Sequence, residues 1–288
     1  FIEAADPTTG SASDSVTYAI RGYRYSRGWA DNQKIYFYAE FSKTPENLDI
    51  IREDVKIWDD VTVNIPTFAK TGFKTAADEQ IMLKVALSPV SMDGAYRNMH
   101  AELPGWDIEA VRAEADRHWN EELGKIRVET TDKDAQKVFY TALYHTMIAP
   151  SEFCDVDGAY RGADDNTYAD PGHTAHTTFS LWDTYRAAMP LYSIFQSERH
   201  TDFINTMLSI YKQQGKLPVW HLHGCETNCM VGNPGIPPVA DAIIKGIGSF
   251  DHDEAFEAMK TSALRPNRGQ DLRMKYGYIP CDLFNESV

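Results

Sequence analysis

Leu217-Pro218-Val219-Trp220-His221-Leu222-His223-Gly224-Cys225-Glu226-Thr227-Asn228-Cys229-Met230-Val231-Gly232-Asn233-Pro234-Gly235 is the stretch on which the fold turns. Two prolines and three glycines interrupt any regular period, so it reads as a loop. Helical periodicity lies on both sides. Arg199 to Tyr211 carries Phe203, Met207 and Ile210 on one face and stops at Gly215. Pro238 to Ile247 and Asp253 to Leu264 repeat the pattern downstream. The second half of the chain is therefore a set of helical hairpins whose loops hold the unusual side chains. In this loop they are Trp220, His221, His223, Cys225, Cys229 and a lone acid, Glu226. Burial of a carboxyl among aromatics favours its protonated form, which is what a general acid needs. Glu226 is thus the catalytic candidate, with Trp220 and His223 beside it as substrate-binding candidates. The competing reading is structural: Glu226 caps a helix or pairs with a histidine.

Working back, helical periodicity begins at 131, with Thr131 or Asp132 as the cap and Val138, Leu143, Tyr144, Met147 and Ile148 as the stripe. Thr178 to Phe195 is apolar nearly all round, which predicts a buried helix broken or kinked near Pro190. It contains Trp182-Asp183. An indole beside a carboxylate suits a sugar, which stacks its C–H face and gives two hydroxyls to the acid. An Asp183–Arg186 ion pair at helical spacing is the alternative. Residues 151–176 lack any period and are rich in aspartate (Asp155, Asp157, Asp164, Asp165, Asp170). Their spacing does not match a calcium-binding EF-hand loop, so a solvated loop is the simpler reading.

Residues 1–100 read as β. Lys34 to Phe41 is nearly all strand formers, and Val16–Ile20, Gly22–Trp29 and Ile81–Ser88 are similar. Val55–Trp58 and Val61–Val63 alternate about Asp59-Asp60 as a hairpin. Short strands at this spacing suggest part of an antiparallel sandwich. Trp106 to Leu123 carries one apolar stripe and predicts a linking helix. The expected division is a sandwich part over 1–103, a helical linker over 104–130 and an α domain over 131–288.

Composition excludes several partners. The net charge of −14 offers no basic face for nucleic acid. No apolar run is long enough to span a bilayer. Four cysteines in 288 residues cannot make a disulfide scaffold. Cys225 and Cys229 lie near His221 and His223, but no second Cys or His pair stands at zinc-finger spacing, so no metal ligands are assigned.

Taken together, several motifs identify the chain as similar to a family. They are Gly22-Tyr23-Arg24-Tyr25-Ser26-Arg27-Gly28-Trp29-Ala30, Val85-Ala86-Leu87-Ser88-Pro89-Val90-Ser91, Phe139-Tyr140-Thr141-Ala142-Leu143-Tyr144-His145-Thr146, Asp155-Val156-Asp157-Gly158, Phe179-Ser180-Leu181-Trp182-Asp183-Thr184, Gly224-Cys225-Glu226-Thr227 and Gly277-Tyr278-Ile279-Pro280. In this order they resemble the family 92 glycoside hydrolases, calcium-dependent inverting exo-α-mannosidases found mostly in bacteria. The resemblance implies a partial antiparallel β-sandwich followed by part of an (α/α)6 barrel. It also implies an exported bacterial protein, extracellular, periplasmic or on the cell surface, acting on mannose-containing glycans.

By the same likeness Glu226 is the general acid, and Trp182 and Asp183 wall the mannose pocket. Asn285-Glu286 falls where many α-1,2-specific members carry His-Glu. The asparagine departs from that pattern and leaves the linkage open. The general base and most ligands of the Ca2+ cofactor are expected outside this chain, in the remainder of the same polypeptide. Two other readings stand beside this one: a phosphorylase or glucoamylase-like hydrolase of sandwich-plus-barrel build, and a sugar-binding piece without catalysis.

Overall fold

The computed structural model describes residues 1–5, 18–51, 54–58, 61–64, 67–169 and 171–285, with 54–58 and 61–64 described by their backbone alone. They divide into two compact units. One comprises Phe1–Tyr25 and Lys34–Val111, the other Ser26–Gln33 and Arg112–Val288.

The first unit is built on antiparallel strand pairs. Strands β1 (Ile2–Ala5), β2 (Tyr18–Ser26), β3 (Gln33–Phe41), β4 (Asn47–Ile51), β5 (Asp54–Trp58), β6 (Val61–Asn64), β7 (Phe68–Gly72) and β8 (Leu83–Ser88) follow in order. A four-stranded sheet runs β1-β2-β3-β8, beside the pairs β4-β7 and β5-β6. The β3–β8 register runs over six pairs, from Tyr36↔Ser88 to Phe41↔Leu83. Its strand formers alternate, so Tyr38 and Ala86 face a core with Ala19, Ala95 and Met99. The expected hairpin about Asp59-Asp60 forms as β5–β6, although its two turn residues, like Val16 and Thr17, lie outside the described residues.

The all-β expectation for residues 1–100 fails at α1 (Met92–Glu102). Ser91 caps it, its side chain accepting from the Gly94 N–H. Ala95 and Met99, four apart, are fully buried on one face. Pro89 hid this short helix by ending the preceding strand. Glu40 is buried between Lys84 (3.1 Å) and His100 (3.3 Å), a carboxylate satisfied on both sides.

Helix α2 (Ile108–Leu123) starts at Asp107, whose Oδ1 accepts from the Glu109 and Ala110 N–H groups. None of its residues is buried. The predicted stripe exists, but Ile108 is 68% exposed.

The second unit continues with α3 (Lys133–Thr146), capped by Asp132 as expected. The irregular stretch contains four two-residue strands: β9 (Ser151–Glu152), β10 (Tyr160–Arg161), β11 (Thr167–Tyr168) and β12 (His176–Thr177). They pair as β10–β11 and β9–β12.

The buried helix predicted for 178–195 is corrected into three pieces: β13 (Phe179–Ser180), α4 (Leu181–Thr184) and α5 (Ala188–Phe195). The break falls at 185–187, before Pro190. Pro190 sits in the first turn of α5, where a missing N–H leaves nothing unpaired. Nor is α5 buried all round, since Ile194 is 78% exposed.

Helix α6 (Ser197–Gln214) ends as predicted at Gly215, which takes φ 76°. Phe203, Ile204, Met207 and Ile210 are buried against Phe179, Leu181, Tyr192, Val239 and Ala258. Strands β14 (Trp220–Leu222) and β15 (Cys225–Glu226) then precede α7 (Ile236–Lys245), α8 (His252–Leu264) and α9 (Gln270–Tyr276). No described helix is long and apolar enough to cross a membrane.

Candidate active site

The stretch 217–235, read as a plain loop, contains a tight hairpin. Trp220–Leu222 pairs with Cys225–Glu226, His221 opposite Glu226 and Leu222 opposite Cys225. On its other edge β14 pairs with β13, Phe179 opposite His221 and Ser180 opposite Trp220. One three-stranded sheet thus brings together the Phe179–Thr184 motif and the Gly224–Thr227 motif.

The turn is made by His223 at φ 49° and Gly224 at φ 80°. Only glycine serves at the second position, for two reasons. The conformation disfavours any Cβ, and a Cβ there would stand 2.9 Å from the Arg161 guanidinium carbon. Gly224→Ala is therefore expected to destabilise the hairpin by about 1–3 kcal/mol. Thermal melting checks it; an unchanged midpoint would show that the turn relaxes freely.

Glu226 is held by its own hairpin. Its Oε2 accepts from the Val219 N–H (2.7 Å). Its Oε1 accepts from the Trp220 N–H (3.0 Å) and the Asn228 N–H (2.8 Å). A carboxylate offers about four acceptor sites, so three are filled and the free one is on Oε2. Thr227 closes the corner, its hydroxyl and N–H both donating to the Trp220 carbonyl.

Cations fasten the surrounding backbone. Buried Arg161 donates through Nη2 to the His223 carbonyl (2.6 Å) and through Nη1 to Asp165 and to the Asn32 carbonyl. Arg268 donates to the carbonyls of Asn228 and Met230. Lys216 donates from Nζ to Asn228 Oδ1. The Leu217 N–H donates to Ser262 Oγ (2.8 Å), tying the hairpin's start to α8.

The aromatic surroundings are real but differently placed from the expectation. Trp220 is buried and its ring centroid lies 4.5 Å from that of Trp29, which is 54% exposed. Trp29 was legible only as part of the Arg27-Gly28-Trp29 motif. His221 is buried with neither ring nitrogen partnered among the described residues. Burial pushes its pKa down, against the opposing pull of Glu226. His223 is also pushed down, by burial and then by Arg161. Both rings are therefore neutral at neutral pH.

Trp182 lines a cavity of about 390 Å3 with Tyr185, Asn233, Gln270 and Arg273. Glu226 is not among that cavity's lining residues. The Asp183–Arg186 ion pair is not formed. Arg186 instead lies over the Trp182 ring, 4.4 Å from its centroid, and donates to the Trp182 carbonyl (2.7 Å). Asp183, exposed, accepts from the Ser180 hydroxyl (2.5 Å).

Asn285 is exposed, while Glu286 and Asp170 lie outside the described residues. Of the aspartates of 155–165, Asp157 accepts from the Ala159 N–H, Asp164 accepts from Tyr168 and Asn166, and Asp165 pairs with Arg161. Among the described residues no three His, Cys, Asp or Glu side chains come together to hold a metal ion. The described residues therefore do not fit a calcium centre by themselves.

An antiparallel unit followed by a helical unit, whose loop hairpin fixes a carboxyl beside an indole, is an arrangement shared with solved glycoside hydrolases. Family models give the particular member of that class. Residues 3–88 match the glycosyl hydrolase family 92 N-terminal domain, and residues 94–288 match its catalytic domain. The chain belongs to glycosyl hydrolase family 92.

Its fold is close to that of a family 92 α-mannosidase from Bacteroides thetaiotaomicron, with TM-score 0.86 and 36% identity over 93% of this chain. It also resembles an inverting family 92 mannosidase from the same organism, at TM-score 0.75 and 27% identity over 91% of the chain. A curated relative from Arthroderma benhamiae, described as an uncharacterized secreted glycosidase, is 29% identical over 70% of the chain. The chain spans 38% and 37% of the two mannosidase chains and 23% of the fungal relative. These likenesses bear out the β-then-α architecture drawn from the sequence.

Proposed function

We propose that the whole protein hydrolyses terminal α-mannosidic linkages with inversion, and that Glu226 is the acid that protonates the departing oxygen. The observation that carries the reading is Glu226 itself. It lies inside the segment matched to the catalytic domain, fixed on a hairpin beside Trp220, with one lone pair of Oε2 uncommitted. Support for mannose comes from relatives. One α-mannosidase neighbour binds mannoimidazole and another is an inverting mannosidase.

In this reading Trp220 supplies an apolar wall and His223 a neutral ring for a hydroxyl. Trp182 and Asp183 take the sugar from the neighbouring edge. Asn285 and Glu286 meet the leaving sugar, and the asparagine argues against strict α-1,2 preference. Inversion needs a base carboxylate roughly 6.5–9.5 Å from the acid with water between, and this residue belongs to another part of the polypeptide. The fungal relative's secretion and the bacterial neighbours support an exported protein, extracellular, periplasmic or on the cell surface.

The test is the anomer first formed from α-linked mannobiose, read by NMR. β-Mannose is expected. α-Mannose first, or dependence on inorganic phosphate, would overturn the reading in favour of a retaining hydrolase or a phosphorylase. Calcium is proposed for the whole protein, with most of its ligands in the remainder of the same polypeptide. A chelator is accordingly expected to abolish mannose release and added calcium to restore it; indifference to chelation would remove calcium from the proposal. A non-catalytic, structural role for Glu226 is the second reading, favoured by the three N–H groups that hold its carboxylate.

A further inference from the structure

We propose that Lys216 is a positioning residue that strengthens Glu226 as an acid, an inference that rests on the general-acid reading above. Lys216 directly follows the αL residue that ends α6, so its side chain is delivered from a rigid terminus. It is 7% exposed. Its ammonium donates to Asn228 Oδ1, and the Asn228 N–H donates to Glu226 Oε1 at 2.8 Å. One residue therefore relays the cation to the carboxyl. No described carboxylate lies within ion-pair distance of Lys216.

A buried ammonium with only a neutral acceptor is costly. Burial indeed pushes Lys216 below the ordinary lysine range, and Glu226 is the neighbour that pulls it back up. The cost is offset when Glu226 is negative. Glu226 gains that charge as its proton passes to the glycosidic oxygen. A fixed cation and three fixed N–H donors then stabilise the transition state more than the resting acid.

The other charged and titratable groups around the hairpin are placed differently. His221 on β14 is neutral. Arg161 on β10 is paired with Asp165 and bound to the His223 carbonyl. Arg268 holds the Asn228 and Met230 carbonyls. Arg265 and Arg268 push Lys216 further down.

The experiment is the pH dependence of kcat/KM for an unactivated mannobioside in the whole protein. Glu226→Gln comes first: an alkaline limb that survives it would overturn the general-acid reading itself. If the limb belongs to Glu226, Lys216→Gln is expected to move it up by about half to one pH unit, since a lost cation favours the protonated acid. Turnover should fall about tenfold with KM within about twofold.

Lys216→Arg is expected to keep the limb in place. Lys216→Met removes the cation while keeping an unbranched apolar stem that suits a 7%-exposed site, so it should also move the limb up. Lys216→Met therefore decides the matter if Lys216→Gln does not fold. A limb unmoved in the folded variants, whatever their melting points, would make Lys216 a structural bolt and overturn the proposal.

Discussion

Glu226→Gln in the whole protein is expected to lower kcat on an α-mannobioside by about 10²–10⁴-fold, and on a dinitrophenyl mannoside by less than about tenfold. A sugar alkoxide is a poor leaving group and needs a proton. A dinitrophenolate leaves without one. The hairpin makes this substitution more than a change of charge. Three N–H groups point at the two Glu226 oxygens, and glutamine has a single acceptor oxygen. Its best placement keeps the Trp220 and Asn228 donors on that oxygen and turns its amide towards the Val219 N–H. A donor then faces a donor, at a cost of about 1–3 kcal/mol. The variant is therefore expected to melt lower as well. The two effects separate cleanly, because loosening the hairpin slows both substrates alike whereas losing the proton slows only one. Equal losses would make Glu226 a brace for its own loop.

The second large effect is on stability. His176 and His200 are pushed down to about 4 by burial, and His221 is pushed down as well. Each has a folded pKa below its unfolded value near 6.5. Above 6.5 neither state takes the proton, and stability is full. As pH falls towards 4 the unfolded chain binds protons that the folded chain refuses, and stability is lost. The slope is about 1.4 kcal/mol per pH unit for each histidine. Three acting together remove on the order of 4 kcal/mol between pH 6 and 5. Asp202, raised by burial, acts with the opposite sign. Urea titrations at pH 7, 6 and 5 check the expectation. A midpoint constant across that range would show that these rings find proton acceptors on opening. His200 is the cleanest probe, since it is fully buried and neither ring nitrogen has a partner among the described residues. His200→Met should flatten the slope by about a third, its share of the three.

Much of this architecture was legible because it is periodic. Phe203, Met207 and Ile210 pointed inward as their spacing required, Gly215 stopped the helix, and Asp132 capped α3. What stayed hidden depends on residues far apart in the chain. Arg161 reaches a carbonyl 62 positions away and another 129 away, and such contacts leave no pattern in the sequence. Short elements were lost for a different reason. β13, β14 and β15 are too brief for a period of two to show, so a hairpin passed for a loop. Thr178 to Phe195 misled because high hydropathy without a polar face does not reveal where a helix breaks. The acid itself was found from its surroundings, a carboxyl among Trp, His and Cys. Its three donors were invisible because backbone N–H groups carry no residue identity.

The segment Ser26–Gln33 runs from the last residue of β2 to the first of β3, yet belongs to the helical unit. It brings Trp29 to Trp220 and offers the Asn32 carbonyl to Arg161 and Cys225. The helical unit is therefore discontinuous in the gene. A clone beginning at Arg112 would omit part of its own hairpin support, and no single cleavage of the chain releases both units whole. Reassortment of this catalytic module by recombination would have to carry the upstream coding sequence with it.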